Sequence, residues 1–141
     1  MILGIGTDIA SIERIGAALD RHGGRFEART FTPEEIALAN SRPANRAATL
    51  AKRWAAKEAC AKALGCGIAQ GIALTDIAVA RDGLGAPSLV LSGGAAERLA
   101  AITPAGHTAR LHLSLSDDAP FALAYVMIEA IAIEPCAPPA I

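Results

Sequence analysis

The sequence predicts an α+β domain in which a small antiparallel sheet packs around one long central helix, and three stretches carry that expectation. Leu50–Leu64, LAKRWAAKEACAKAL, is alanine-rich, holds no β-branched residue and is followed by Gly65 where a helix C-cap would fall. Ile2–Ile9 reads as an opening strand. Arg110–Ser116 alternates polar and apolar residues and passes through the turn residues SDDAP into a last strand, Phe121–Glu129.

Taken in order, the first strand sets Ile2, Gly4, Gly6 and Asp8 on one face and Leu3, Ile5, Thr7 and Ile9 on the other. Bare glycines on the Asp8 face invite another backbone or a ligand close to the strand. A helical pattern runs from Ser11 to about Arg21, with Gly23 and Gly24 expected to end it. Arg14, Arg21 and Arg25 recur at spacings of seven and four, which would form a docking strip for carboxylates. Glu13, Asp20 and Glu27 could equally neutralise them as surface pairs. Thr32, Pro33 and Glu35 combine an N-cap, a first-turn proline and a capping-box acid, starting a short helix over Pro33–Asn40, and Pro43 opens the central helix. Thr75–Arg81 and Ser88–Leu91 flank the turn DGLGAP as a hairpin, and Gly93–Ile102 is a short helix. Residues 1–133 form a single domain in this reading, and 134–141, EPCAPPAI, a proline-rich tail.

Composition narrows the function classes. With 52% hydrophobic and 19% charged residues the chain is a folded globular protein, and its 4% aromatic content leaves a core of Ala, Leu and Ile whose small apolar surface suits subunit packing. The formal net charge of −1 disfavours a general nucleic-acid binder. It conceals a basic stretch: Arg42, Arg46, Lys52, Arg53, Lys57 and Lys62 stand against the single acid Glu58. Such a stretch suits phosphates or an acidic protein partner. Cys60, Cys66 and Cys136 show no CxxC spacing and no histidine cluster, which fits a reducing cytoplasm better than secretion. No basic leader follows Met1, and the apolar run Ala119–Ile133 is interrupted by Glu129 and too short to span a bilayer.

The chemistry-bearing residues fall at Asp8 and on the central helix. Glu58 and Lys62 lie four apart, so a carboxylate and an ammonium share a face with Trp54 and Leu50, a metal ligand beside a phosphate clamp. Alone, such a pair is an exposed helix ion pair worth a few tenths of a kcal/mol. Asp8, ending an apolar strand, needs either a cation or a capping role at the next helix, unless Ser11 caps it instead. GIGTDI does not match the dinucleotide fingerprint GxGxxG. His112 sits among the hydroxyls of Ser114 and Ser116, where a phosphate would find donors and where a surface histidine would be equally at home.

In their order and spacing, GIGTDIASIERI, FTPEE, LAKRWAAKEACAKALGCGI, DGLGAP and HLSLSDDAPFALAYVMIE resemble the small bacterial 4'-phosphopantetheinyl transferases of the holo-[acyl-carrier-protein] synthase type, over nearly the whole chain. The resemblance implies the phosphopantetheinyl transferase fold, a homotrimer, and transfer of the phosphopantetheine arm of coenzyme A to a serine of apo-acyl carrier protein. Asp8 and Glu58 would hold Mg²⁺, which takes one or two carboxylates and fills its shell with water and substrate phosphate. Lys62 would neutralise the diphosphate, and the proton acceptor for the serine is either Asp8 or a water beside Glu58. Arg53, Lys62, Gly65, Pro87 and His112 resemble coenzyme contacts, Arg53 and His112 at the 3'-phosphate. Arg14, Arg21 and Arg25 resemble the strip for acidic carrier protein. The family often has Gly-Lys-Pro where Gly85, Ala86 and Pro87 stand, and a second histidine at Asp117. A second hypothesis, a non-catalytic basic helical module for acidic proteins or RNA, leaves Asp8 and Glu58 without a task; neither nucleic acid nor membrane is an expected partner of the enzyme.

Overall fold

The computed structural model describes residues 1–68 and 70–134. In chain order it contains β1 (Ile2–Ser11), α1 (Ile12–Thr30), α2 (Pro33–Asn40), α3 (Arg46–Ala63), β2 (Ile77–Arg81), β3 (Pro87–Leu91), α4 (Gly93–Ile102), β4 (His107–Asp118) and β5 (Phe121–Ala132). Short 3₁₀ turns at Pro43–Asn45 and Leu74–Asp76 lead into α3 and β2. β1, β5 and β4 form an antiparallel sheet in that spatial order, and β2 and β3 form a separate hairpin. The expected α+β architecture is thus present, with the sheet packed on α3.

Small side chains make α3 the centre. Ala55, Ala56, Ala59, Cys60 and Ala63 are at most 3% exposed, and they meet Ala124, Val126 and Ile128 of β5, all 0% exposed. Gly4 and Gly6 bring β1 closer still: a Cβ on Gly4 would stand 1.9 Å from the carbonyl oxygen of Ala63, and one on Gly6 at the same 1.9 Å from that of Ala59. Only glycine allows this strand to lie directly on the helix backbone. The other flank of α3 buries Leu50 and Ala51 against Ile15, Leu19, Phe31 and Ala39 of the first two helices. Full burial of a side chain such as Leu50 contributes about 1.5–3 kcal/mol.

Local signals set most element ends. The Ser11 hydroxyl accepts from Arg14 N at 3.2 Å and caps α1, so Asp8 is free of that duty. Thr32 and Glu35 close a reciprocal capping box on α2, Thr32 N to Glu35 Oε1 at 2.8 Å and Glu35 N to Thr32 Oγ1 at 3.3 Å. Gly65 N donates to Lys62 O and Cys66 N to Ala61 O, the paired bonds of a Schellman ending, with Gly65 at φ +74°.

Four expectations need correction. Gly23, at φ 52° and ψ −131°, interrupts α1 without ending it: the helix resumes and runs to Thr30. The resumed turn is held because Phe26 packs edge-on to Phe31 and tilted against Trp54, and Glu27 pairs with Arg46. Pro43 opens the central helix only as a 3₁₀ turn over Pro43–Asn45, and the α-helical part, α3, begins at Arg46. β4 and β5 are twelve-residue strands that pair as far as Asp118 with Phe121, leaving only Ala119 and Pro120 as the turn. In β1 the register shifts between Ile2 and Gly4, so Ile2 pairs with Glu129 and is 64% exposed, while Leu3 packs on the core. Residues 135–141, most of the expected tail, lie outside the described residues.

Candidate active site

The β1–α3 contact carries the site. Once Gly4 and Gly6 seat the strand on the last two turns of α3, Asp8, two residues further on the same face, arrives beside the helix turn that bears Glu58 and Lys62. Lys62 Nζ donates to Asp8 Oδ1 at 3.0 Å and to Thr7 O at 2.9 Å. The Asp8 side chain keeps 18% exposure and Lys62 keeps 55%, so the cluster opens to solvent. Partial burial pushes the Glu58 carboxyl up from its ordinary pKa, the negative charge of Asp8 adds to the rise, and Lys62 offsets part of it.

Two carboxylates close enough that Asp8 opposes the ionisation of Glu58, with a single ammonium beside them, fit a divalent cation. Among the described residues no cluster of three or more His, Cys, Asp and Glu side chains occurs. An ion here would take two protein carboxylates and oxygen atoms from water or substrate, the habit of Mg²⁺.

The remaining candidates separate into places. Gly65 is exposed just past α3, and Pro87 is half-buried at the start of β3. Arg98 of α4 donates from Nε to Leu64 O at 2.9 Å beside Gly65. Arg14 and Arg21 line one groove with Ala17, Ala18 and His22; Arg25, past the Gly23 kink, lines a neighbouring one with His22, Phe26 and Arg29. All three arginines are exposed.

Arg53 and His112 are not brought to the carboxylates. Arg53 is 3% exposed, donates to Thr49 O at 3.1 Å and leaves its buried Nε without a partner among the described residues. Burial pulls its pKa down, Glu35 offsets this, and Arg81 and Arg42 add to the fall. Nine residues along α3 place it half a turn away from Lys62. His112 pairs in register with Met127, which pairs with Ile5, so it sits on the sheet face opposite Gly4, Gly6 and Asp8. Its Nε2 meets Glu129 Oε2 at 2.6 Å.

Most of the basic stretch is neutralised by acids elsewhere in the fold. Lys57 is fully buried against Glu35 at 2.8 Å, Lys52 meets Asp117 at 2.9 Å, Arg46 pairs with Glu27 and Lys62 with Asp8. Four of the six basic residues are therefore held in separate ion pairs rather than forming one cationic surface, which weakens the feature that supported a basic binding module. Asp117, at the position of the family's second histidine, is the acid that takes Lys52.

Sequence reasoning missed the Glu35–Lys57 pair. Lys57 Nζ also donates to Leu74 O and Ile77 O, and Glu35 Oε2 accepts from Val79 N at 2.9 Å, so α2, α3 and β2 meet at one buried junction. Burial lowers the Lys57 pKa, and the charge and hydrogen bond of Glu35 oppose that. The only local hint was an acid in a capping box four residues before a buried alanine.

The 4'-phosphopantetheinyl transferase superfamily model matches residues 4–125. The chain belongs to that superfamily. Within it, the chain is 58% identical over 131 residues to the holo-[acyl-carrier-protein] synthase of Sphingopyxis alaskensis, covering 93% of this chain and 98% of that protein. The crystal structure of the Neisseria meningitidis holo-[acyl-carrier-protein] synthase superposes with a TM-score of 0.79 at 38% identity, covering 92% of this chain and 99% of that one. The Helicobacter pylori enzyme in complex with coenzyme A gives 0.74 at 34% identity, with 89% and 99% covered.

Proposed function

We propose that this chain transfers the 4'-phosphopantetheine arm of coenzyme A to a serine of apo-acyl carrier protein, releasing adenosine 3',5'-bisphosphate. The observation that carries the reading is the convergence of Asp8, Glu58 and Lys62 across the glycine contact between β1 and α3. In the reaction the serine oxygen forms a bond to the phosphorus that carries the pantetheine, and the bond from that phosphorus to the departing nucleotide breaks. Such a transfer asks a protein chiefly for positioning and charge stabilisation.

Asp8 and Glu58 would hold Mg²⁺, and when bound the ion draws charge from the diphosphate oxygens. Lys62 has three donors, of which Thr7 O and Asp8 take two, so the third is left for a phosphate oxygen. Its backbone anchor at Thr7 O fixes the ammonium at the mouth of the site before substrate arrives. Gly65, without a side chain just past α3, would leave room for the coenzyme near Lys62, and Pro87 of the hairpin would be a further contact. Arg14, Arg21 and Arg25 offer three exposed guanidiniums to an acidic carrier protein. Arg53 enters the site only if its side chain leaves the buried place described above, and we leave it out of the coenzyme contacts.

The working form in this reading is a cyclic homotrimer. The face of the sheet away from α3 exposes Ile5 at 59%, Ile9 at 60%, Phe121 at 50%, Leu123 at 43% and Tyr125 at 38%, an apolar patch on adjacent strands that suits a second copy of the chain. His112 lies on that same face, where a neighbouring subunit's carboxylate site could receive it. No described helix is long and apolar enough to cross a membrane, and we place the reaction in the cytoplasm on the strength of the free thiols Cys60 and Cys66.

The test is incubation with coenzyme A, Mg²⁺ and apo-acyl carrier protein, followed by the carrier's mass. A gain of one phosphopantetheine on the acceptor serine is the expected result; an unmodified carrier at high enzyme concentration overturns the reading.

A further inference from the structure

The face of the sheet that carries His112 also carries Glu129, an acid without a part in the reaction derived above. Glu129 stands on β5 two residues from Met127, the register partner of His112, so the two side chains are diagonal neighbours on one face. Their separation, Nε2 to Oε2, is 2.6 Å, with side-chain exposures of 41% for His112 and 34% for Glu129. Arg110 lies directly opposite Glu129 in register, yet among the described residues the ion-pair partner of the carboxylate is His112.

A carboxylate is an acceptor only, so the hydrogen of this contact belongs to Nε2. That fixes the imidazole in two ways. The ring cannot rotate about its Cβ bond without losing a charge-assisted bond, and Nε2 is no longer available to a ligand. Nδ1 is then the nitrogen the ring can offer, and in the doubly protonated ring it donates as Nε2 does. The same arrangement, a carboxylate behind a histidine that faces a ligand, orients histidines at metal and catalytic centres.

We propose that Glu129 is a positioning residue for coenzyme binding: it holds the His112 ring so that Nδ1 points at the 3'-phosphate of coenzyme A. This rests on the reading of His112 as a coenzyme contact given above. Glu129 touches neither the reacting phosphorus nor the serine, so its removal should act on coenzyme affinity and leave the chemical step alone.

The test compares Glu129→Ala, Glu129→Gln, His112→Ala and the double variant Glu129→Ala/His112→Ala, each with coenzyme A and with dephospho-coenzyme A, which lacks the 3'-phosphate. Glu129→Ala should raise KM for coenzyme A about tenfold, on the scale of one charge-assisted contact, with kcat within twofold. Glu129→Gln keeps an acceptor in the same place and should recover most of that loss. The double variant should match His112→Ala, and with dephospho-coenzyme A all four should match the unsubstituted protein. A direct reading of the ring comes from ¹⁵N spectra of the imidazole without coenzyme: the resonance that His112→Ala removes should report a protonated, bonded Nε2, and should change in Glu129→Ala. An unchanged KM in Glu129→Ala, an equal Glu129 effect on both coenzymes, or an added loss in the double variant overturns the proposal. Should His112→Ala itself bind coenzyme A normally, the reading of His112 fails and the proposal with it. The ¹⁵N spectra separate that case from a pair that never forms.

Discussion

The two acids of the site sit in an electrostatic situation that a neutral substitution relieves. Ionised Glu58 is penalised by burial and by Asp8, so its folded pKa lies above its unfolded one. Its contribution to stability is therefore full below the unfolded pKa and lost as pH rises through the raised folded value. In metal-free protein, Glu58→Gln should melt at or above the temperature of the unsubstituted chain at neutral pH, and the difference should shrink toward pH 4 in a thermal scan run with chelator. Added Mg²⁺ should raise the melting temperature of the unsubstituted chain and not that of Glu58→Gln or Asp8→Asn. Both variants should lose most transfer activity; turnover at the unsubstituted rate at ordinary Mg²⁺ would remove these residues from the metal set. Cys60 offers a contrast: burial, with Cys66 adding, pushes its thiol up to about 12, and it should resist alkylation in the folded protein. The shared face of Glu58 and Lys62 was legible from an i,i+4 spacing and the glycine face of Asp8 from strand alternation, both local rules; that the two faces meet was implied only by the family resemblance. The engagements of Arg53 with Thr49 O and of Glu129 with His112 were not legible, since the first depends on which flank of α3 meets the other helices and the second on strand register.

At the level of elements, two junctions hold the site in place. Gly4 and Gly6 set the spacing between β1 and α3, and a methyl at either would meet helix backbone at 1.9 Å. Gly6→Ala should therefore destabilise by more than the roughly 1–3 kcal/mol of ordinary overpacking, read as a lowered urea midpoint, with transfer lost in parallel. Gly24→Ala, where nothing lies within 4 Å, is the control and should change neither. The second junction is the buried Glu35–Lys57 pair. Removing one partner, as in Glu35→Ala, leaves an uncompensated buried charge and should cost about 3–5 kcal/mol; replacing both by apolar residues of similar volume should return much of it. Equal losses for single and double variants by denaturant titration would show that the pair contributes nothing specific. The helices and hairpin were readable from caps and turn residues. The kink in α1 was not, because one positive-φ glycine stops a helix only when nothing beyond it packs, and Phe26 does.

For the molecule as a whole, the sheet divides the candidate site: the carboxylates and Lys62 on the α3 side, His112 on the other. If both serve one coenzyme, the proposed trimer would supply them from neighbouring subunits, which makes complementation the decisive measurement. Glu58→Ala and His112→Ala proteins, each impaired alone, should regain activity when unfolded and refolded as an equal mixture. Random assembly leaves about one site in four intact when each site draws its two residues from different subunits. No gain over the average of the two separate proteins, with mixed assemblies confirmed by native mass, would place the whole site in one chain. Composition only hinted at the apolar face that the proposed assembly would cover, since that face is visible only once alternate residues of paired strands are laid side by side. That two-sided construction has a kinetic consequence. If one face of β1 serves the reaction and the other serves association, then rate per chain is a function of total protein: on dilution below the assembly's dissociation constant, turnover should decay with the lifetime of the contact at Ile5, Ile9 and Tyr125, and on reconcentration it should return with a lag whose length shortens as concentration rises.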